Sequence, residues 1–337
     1  MNKTQKHILI GATAVAFTAC GGGGGGTTAD TGAQTGGDNT TVGGGSNSVT
    51  SMKKLTKMTS VNEEGTSFMA SEYSYNANDL VEKSVSIQYK GASDKGELES
   101  KTEAIYTYEK TYNMVKVVTK VYDADNQLTM TSTSLQTYNG DKIISMKGKT
   151  ESTTTETLNM TSEGNFTDYV GPIATKTTLD TFDKDKKPLM HSTGVTKVKE
   201  NKDSNITSTT TTGPLTTTSS ILRVFDSLDR VTSSELVSPQ LNSKYTYSYD
   251  SDTSIMEPIY TCFGGYVQMA KNHRAKYPKA ENTCYLRTEI KTDIESNSLT
   301  AQASVMSYEN TLSNGLVVER KVKTNNELTM TYTYEYE

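Results

Sequence analysis

The sequence predicts an all-β fold, an extended antiparallel meander behind a short export segment. Three observations predict it. Apolar and polar residues alternate with period two over most of the chain beyond Leu55. The composition favours Thr, Ser and Tyr, with 20 Tyr against 6 Phe and no Trp. Turn-forming Asn, Asp and Gly recur between the alternating runs at hairpin spacing. Thr and Tyr suit a half-solvated pleated surface, so the scarcity of large aliphatics points to thin layers rather than one thick core.

Residues 1–19 form the first element. Lys3 and Lys6 open it, Ile8 to Phe17 is an apolar run too short to span a bilayer, and Thr18-Ala19 place small residues ahead of Cys20. This order resembles the lipobox of bacterial lipoproteins. The resemblance implies cleavage before Cys20 and a diacylglycerol with palmitate-like chains on its thiol. Each buried methylene contributes about 0.8 kcal/mol, so such chains hold a protein firmly on a membrane. Gly21-Gly22 follow, not Asp, which favours the outer membrane over the inner. The second element, 20–50, is Gly, Thr, Ser, Asn and Asp with almost nothing apolar, and cannot repay its own ordering entropy. It reads as a flexible tether with a reach of roughly 30 Å, similar in composition to the tethers of surface lipoproteins.

Residues 51–337 form the β-rich body. Tyr73-Ser74-Tyr75, Ile105-Tyr106-Thr107-Tyr108, Tyr245-Thr246-Tyr247-Ser248-Tyr249 and the closing Tyr332-Thr333-Tyr334-Glu335-Tyr336 place Tyr on one face and Thr, Ser or Glu on the other. Asn139-Gly140-Asp141 and Asn325-Asn326 mark hairpins. Half-barrel, barrel and sandwich all satisfy this pattern. Four segments look related: Tyr122 to Thr129, Phe225 to Thr232, Phe182 to Asp185, and Tyr75 to Leu80. Their aromatic-Asp-turn-Leu/Val-Thr form resembles the YD (RHS-type) repeat of bacterial surface and toxin-shell proteins. Asp229 stands where that repeat has Gly, and the spacing is irregular, so shared strand–turn–strand physics accounts for the likeness and assigns no activity. Residues 204–220, nearly all Thr and Ser around Gly213-Pro214, read as an exposed loop or edge hairpin, with O-glycan attachment as the alternative.

One insertion, 262–284, breaks the pattern. An exported compartment permits disulfides, and Cys262 and Cys284 are the cysteines left once Cys20 is set aside, so they are expected to bridge. A closed loop of this size contributes about 3 kcal/mol. Inside it, residues 265–277 have helix formers and helical apolar spacing up to Pro278. This predicted helix gathers Lys271, His273, Arg274 and Lys276 on an otherwise acidic chain, making it the candidate binding site for a protein or glycan partner. Its plainer role is to cap one end of the sheet.

The remaining motifs are weaker. Asp123/Asp125, Asp183/Asp185 and Asp250/Asp252 lack the Gly and distal Glu of a calcium loop and read as turn caps. Asn165 and Asn205 sit in acidic-x-Asn-x-Thr contexts resembling the bacterial N-glycosylation sequon, a match expected by chance in so Thr-rich a chain. The mature chain keeps only His191 and His273, and neither a Gly-x-Ser-x-Gly nor a His-Glu-x-x-His motif occurs. No enzyme activity, metal or cofactor is expected. The net charge of −5, or −7 once Lys3 and Lys6 leave, argues against nucleic acid as partner. The resulting expectation is a non-enzymatic binding or surface-interaction lipoprotein of the outer membrane. The alternative is a periplasm-facing lipid or lipoprotein carrier with a Tyr-lined β concavity.

Overall fold

A computed structural model describes residues 54–337 apart from 251–286 and the short segments 78–80, 110–112, 141, 171–172, 200–201, 228–230, 240, 297–298 and 315. The expected disulfide Cys262–Cys284, the helix over 265–277 with Lys271, His273, Arg274 and Lys276, and Cys20 with its tether all lie outside the described residues.

The body is a single closed ring of 18 antiparallel strands. The first six are β1 (Leu55–Asn62), β2 (Ser67–Tyr75), β3 (Val81–Lys90), β4 (Glu97–Glu109), β5 (Asn113–Tyr122) and β6 (Leu128–Asn139). Then come β7 (Lys142–Ser152), β8 (Met160–Val170), β9 (Ile173–Asp183), β10 (Pro188–Lys199), β11 (Lys202–Thr212) and β12 (Leu215–Phe225). The last six are β13 (Val231–Val237), β14 (Leu241–Tyr249), β15 (Arg287–Ser296), β16 (Leu299–Ser313), β17 (Leu316–Thr324) and β18 (Glu327–Tyr336). Each pairs with its neighbours in sequence, and β18 closes the ring on β1 through Met58↔Tyr334 and Ser60↔Tyr332. Of the three architectures the alternation allowed, the barrel is therefore the one formed. A single 3-10 turn, Glu156–Leu158, is the only helical element among the described residues.

The barrel is built from two-stranded units, each an odd strand and the even strand that follows it. The terminal rim is the end where β1 begins and β18 finishes; the tight odd-to-even turns form the distal rim. At the terminal rim a tyrosine near the end of the even strand donates its hydroxyl to the carbonyl of a residue at or near the start of the odd strand of its unit. The pairs are Tyr75 to Leu55 (2.6 Å), Tyr108 to Val81 (2.8 Å), Tyr138 to Met114 (3.2 Å), Tyr249 to Val231 (2.8 Å) and Tyr336 to Val317 (2.9 Å), with Tyr169 to Ile143 alike. Val198, Phe225 and Leu312 hold the same place in the other units. Beside each clasp the ladder skips a residue: Thr56, Glu82, Val115, Ile144, Thr232 and Val318 each follow an accepting carbonyl. A bulge takes one residue out of the pairing and adds twist, and the tyrosine hydroxyl takes the carbonyl just ahead of it.

The four segments that looked alike in sequence are not one repeat. Those opening at Tyr122 and Phe182 turn at the distal rim, and those opening at Tyr75 and Phe225 at the terminal rim. The distal pair share one turn geometry. Asp123 Oδ1 accepts the backbone N–H of Asp125 and Gln127, and Asp183 Oδ1 those of Asp185 and Lys187. Asn126 (φ 56) and Lys186 (φ 66) take the left-handed position. The first two Asp-x-Asp pairs are thus turn caps.

Residues 204–220 are neither a loop nor an edge. They lie in β11 and β12, joined by the two-residue Gly213-Pro214 turn in register Thr212↔Leu215, and both strands are paired on each side. Ring closure removes every edge. Exposed Thr209–Thr218 and Thr211–Thr216 hydroxyl pairs explain the Thr richness as a ladder on the solvated face.

Candidate functional site: the inner wall of the barrel

The two faces of the ring differ in chemistry. Every buried residue of the described strands, from Leu55, Met58 and Ser71 to Ser243, Arg320 and Tyr334, lies on one face by register. That face is the concave one, because side chains crowd together only on the inside of a closed sheet. The other face carries the ion pairs. Lys101–Glu103 (2.8 Å), Lys149–Glu151 (2.7 Å), Lys147–Glu163 (4.0 Å), His191–Asp180 (2.6 Å), Lys291–Glu289 (3.4 Å) and Lys321–Glu319 (3.6 Å) stand along the strands around the circumference. His191, the one histidine described, is thus half of a solvated surface pair. Asn165 is exposed on this outer face of β8, opposite Ser145 and Thr178. Asn205 occupies the corresponding outer face of β11.

The inner wall has three levels. Towards the distal rim it bears Met69, Met130, Met160, Met190 and Met330; Met58, Met114, Met146 and Met306 are also inward, so every methionine of the described strands faces the lumen. A middle belt is small and hydroxylic. Ser71–Ser86 (2.8 Å), Ser132–Thr150 (3.3 Å) and Ser192 with Ser208 (3.1 Å) and Thr210 (3.0 Å) bond across strands. Gly148 and Gly194 belong to this belt, where an added Cβ would fall 2.3 Å from Ser162 Oγ and Thr177 Oγ1 respectively. The terminal-rim level is aromatic. Burial pushes the Tyr75 and Tyr336 hydroxyls above the ordinary tyrosine range, aided at Tyr75 by the Glu337 charge.

Between the bulges of the two rims, the charged side chains of the described inner wall are Arg223 and Arg320 alone. Arg320, on β17, is only 5% exposed. Its Nε–H donates to Asn310 Oδ1 at 2.8 Å, and its Cζ stands 5.1 Å from the centre of the Tyr308 ring. Its partner across the ladder is Tyr332, which stacks on Tyr334 at 6.4 Å. The apolar cluster of Leu55, Met58, Val317 and Tyr334, with Met69 and Tyr336 against it, adjoins it at the β18–β1 closure. Sequence reasoning did not single out Arg320. The usable signal was the phase of the Leu316–Thr324 alternation, which puts Arg320 with Val322 and opposite Glu319 and Lys321. Among the described residues, no group of His, Cys, Asp and Glu is placed to hold a metal ion.

No family model matches this chain, and no curated protein does. Among solved structures it is similar to a porin-like protein from Bacteroides uniformis, with 14% identity, TM-score 0.36, and 84% of this chain and 98% of that one covered. A porin-like protein from Bacteroides vulgatus gives 12% identity, TM-score 0.44, and coverage of 85% and 99%. The Photorhabdus luminescens Tc holotoxin pore gives 8% identity and TM-score 0.24, covering 78% of this chain and only 18% of that one.

Proposed function

We propose that this protein is an envelope lipoprotein whose barrel stands in water on a lipid tether and works by binding, without catalysis. The outward ion pairs carry the reading. A barrel that spans a bilayer presents an outward apolar band about 25 Å tall, and Lys or Arg at its midplane costs about 2–4 kcal/mol each. Here Lys101, Lys147 and Lys291 point outward at mid-strand beside carboxylates. Membrane attachment then falls to the acyl chains on Cys20, and the outer membrane is the expected site. The test is the Cys20→Ala chain expressed for export. It should be released as a folded β protein without detergent; a detergent requirement would overturn the reading. Protease treatment of intact cells then separates a surface location, where the body is cut, from a periplasmic one, where it is protected.

A carrier role for the lumen is the second reading, favoured by the contrast between the charged outer face and an inner wall of Met, Tyr, Ser and Thr. Methionine supplies an adaptable apolar lining. Surface recognition through Lys271, His273, Arg274 and Lys276 is the competing mode. Lys271→Glu and Arg274→Glu should abolish partner capture if that mode holds, and leave lumen binding intact if the carrier mode holds.

A further inference from the structure

We infer that the outer face of β10–β13 is the surface through which this chain associates with a second copy of itself, the two barrels packing face to face about a two-fold axis along the β11–β12 seam. This goes beyond the binding readings above and rests on them only in that the barrel must stand in water. Three observations carry it.

First, the sector lacks the charges that mark the outer wall elsewhere, where Lys101, Lys147 and Lys291 stand beside carboxylates. From Thr207 to Thr211 on β11 and from Thr216 to Val224 on β12, every outward residue is Thr, Ser, Leu or Val. Val195 (50%), Leu222 (46%), Val224 (50%) and Val237 (40%) are exposed there. Interface cores are depleted of charge in this way. The Thr209–Thr218 and Thr211–Thr216 hydroxyls bond each other at 3.0 Å, so covering them costs less than covering hydroxyls bound only to water.

Second, the face is self-complementary. Paired residues share a level across the sheet, and one row reads Val195, Thr207, Ser220, Val237 from β10 to β13. A two-fold along the seam keeps each level and exchanges left for right. Val195 of one copy therefore falls on Val237 of the partner subunit, and Thr207 on Ser220 of the partner subunit. The next row, Lys197, Asn205, Leu222, Glu235, brings Lys197 near Glu235 of the partner subunit at the margin, so opposite signs meet there rather than like ones.

Third, ring closure leaves no sheet edge, so strand addition between copies is not open to this fold. Strands about 4.8 Å apart and levels about 7 Å apart make four strands and four levels a patch of roughly 400 Å² in projection on each copy. That lies at the low end for a specific interface and sets a weak, concentration-dependent dimer.

The test uses the Cys20→Ala chain in detergent-free buffer, followed by sedimentation velocity from about 5 μM to about 500 μM. The chain should pass from monomer to dimer. Val195→Glu and Val237→Lys should each weaken the dimer by about tenfold or more, because each places an unpaired charge in the contact. Both positions are exposed, so each variant should keep the parent's melting temperature. Mixing the two variants should restore a dimer. One contact then joins the new carboxylate to the new ammonium, and the other joins Val to Val. A chain that is soluble but monomeric throughout overturns the inference, and needs no substitution to show it. A dimer that neither substitution weakens, or a mixture no better than the single variants, also overturns it. A chain that leaves the membrane only with detergent overturns the tethered-barrel reading and the dimer together, because this face would then meet lipid.

Discussion

At the scale of the residue, tyrosine does structural work that its abundance concealed. The Tyr-x-Tyr runs were expected to face one way, and they do, towards the lumen. The ring buries area while the hydroxyl is bound by the carbonyl at the bulge. Phenylalanine supplies the first and not the second, which fits a chain with 20 Tyr and 6 Phe. Tyr108→Phe should lower stability by about 1 kcal/mol, measured as a urea midpoint shift without change in the transition slope. An alkaline titration reads the same residues. An unfolded tyrosine ionises near pH 10, whereas burial holds Tyr75 and Tyr336 protonated to higher pH. Their contribution to stability is full below that unfolded value and is lost as pH rises above it. The melting temperature should therefore fall above about pH 10, and less steeply in a Tyr75→Phe/Tyr336→Phe chain. An equal slope in both would assign the effect to other groups.

At the scale of the element, each hairpin is specified locally by a turn and a side-chain cap. Asp183→Ala removes the acceptor of two turn N–H groups and should cost about 1–2 kcal/mol, seen as a lower thermal midpoint; Asp183→Asn should recover most of it. Gly96 ends the β3–β4 turn, and a Cβ there would lie 1.9 Å from the Lys90 carbonyl oxygen. Gly96→Ala must therefore reshape the turn, with fast amide exchange confined to the ends of β3 and β4. On the outer face, Lys101 hydrogen-bonds Glu103 and holds its carboxyl below the usual range. This contribution is present above the unfolded carboxylate range and fades as pH falls through the lowered value. It is modest, because the pair is partly solvated. Strands, turns and caps were legible because alternation and Asp-led turns act over a few residues. The Thr-rich hairpin was misjudged for the same reason: a Thr ladder in mid-sheet and a polar loop have the same local composition.

At the scale of the whole molecule, closure decides the outcome. β18 lies between β17 and β1, so truncation before Glu327 would expose two unpaired edges and unseat Leu55, Met58 and Val317 from Tyr334. The truncated chain should aggregate on refolding, measured by light scattering against the full chain; a soluble monomer would show that the ring tolerates an open seam. By itself the sequence determined the strand-and-turn alphabet and the two-faced alternation, since both depend on neighbours within one hairpin. It also supports the export-and-anchor expectation at Cys20. Only the tertiary structure decided that the sheet closes, which face is the inside, and that Arg320 belongs there. Those facts depend on pairing Met58 with Tyr334, residues of the first and last strands of the ring, and on the cumulative phase of bulges that no local pattern announces.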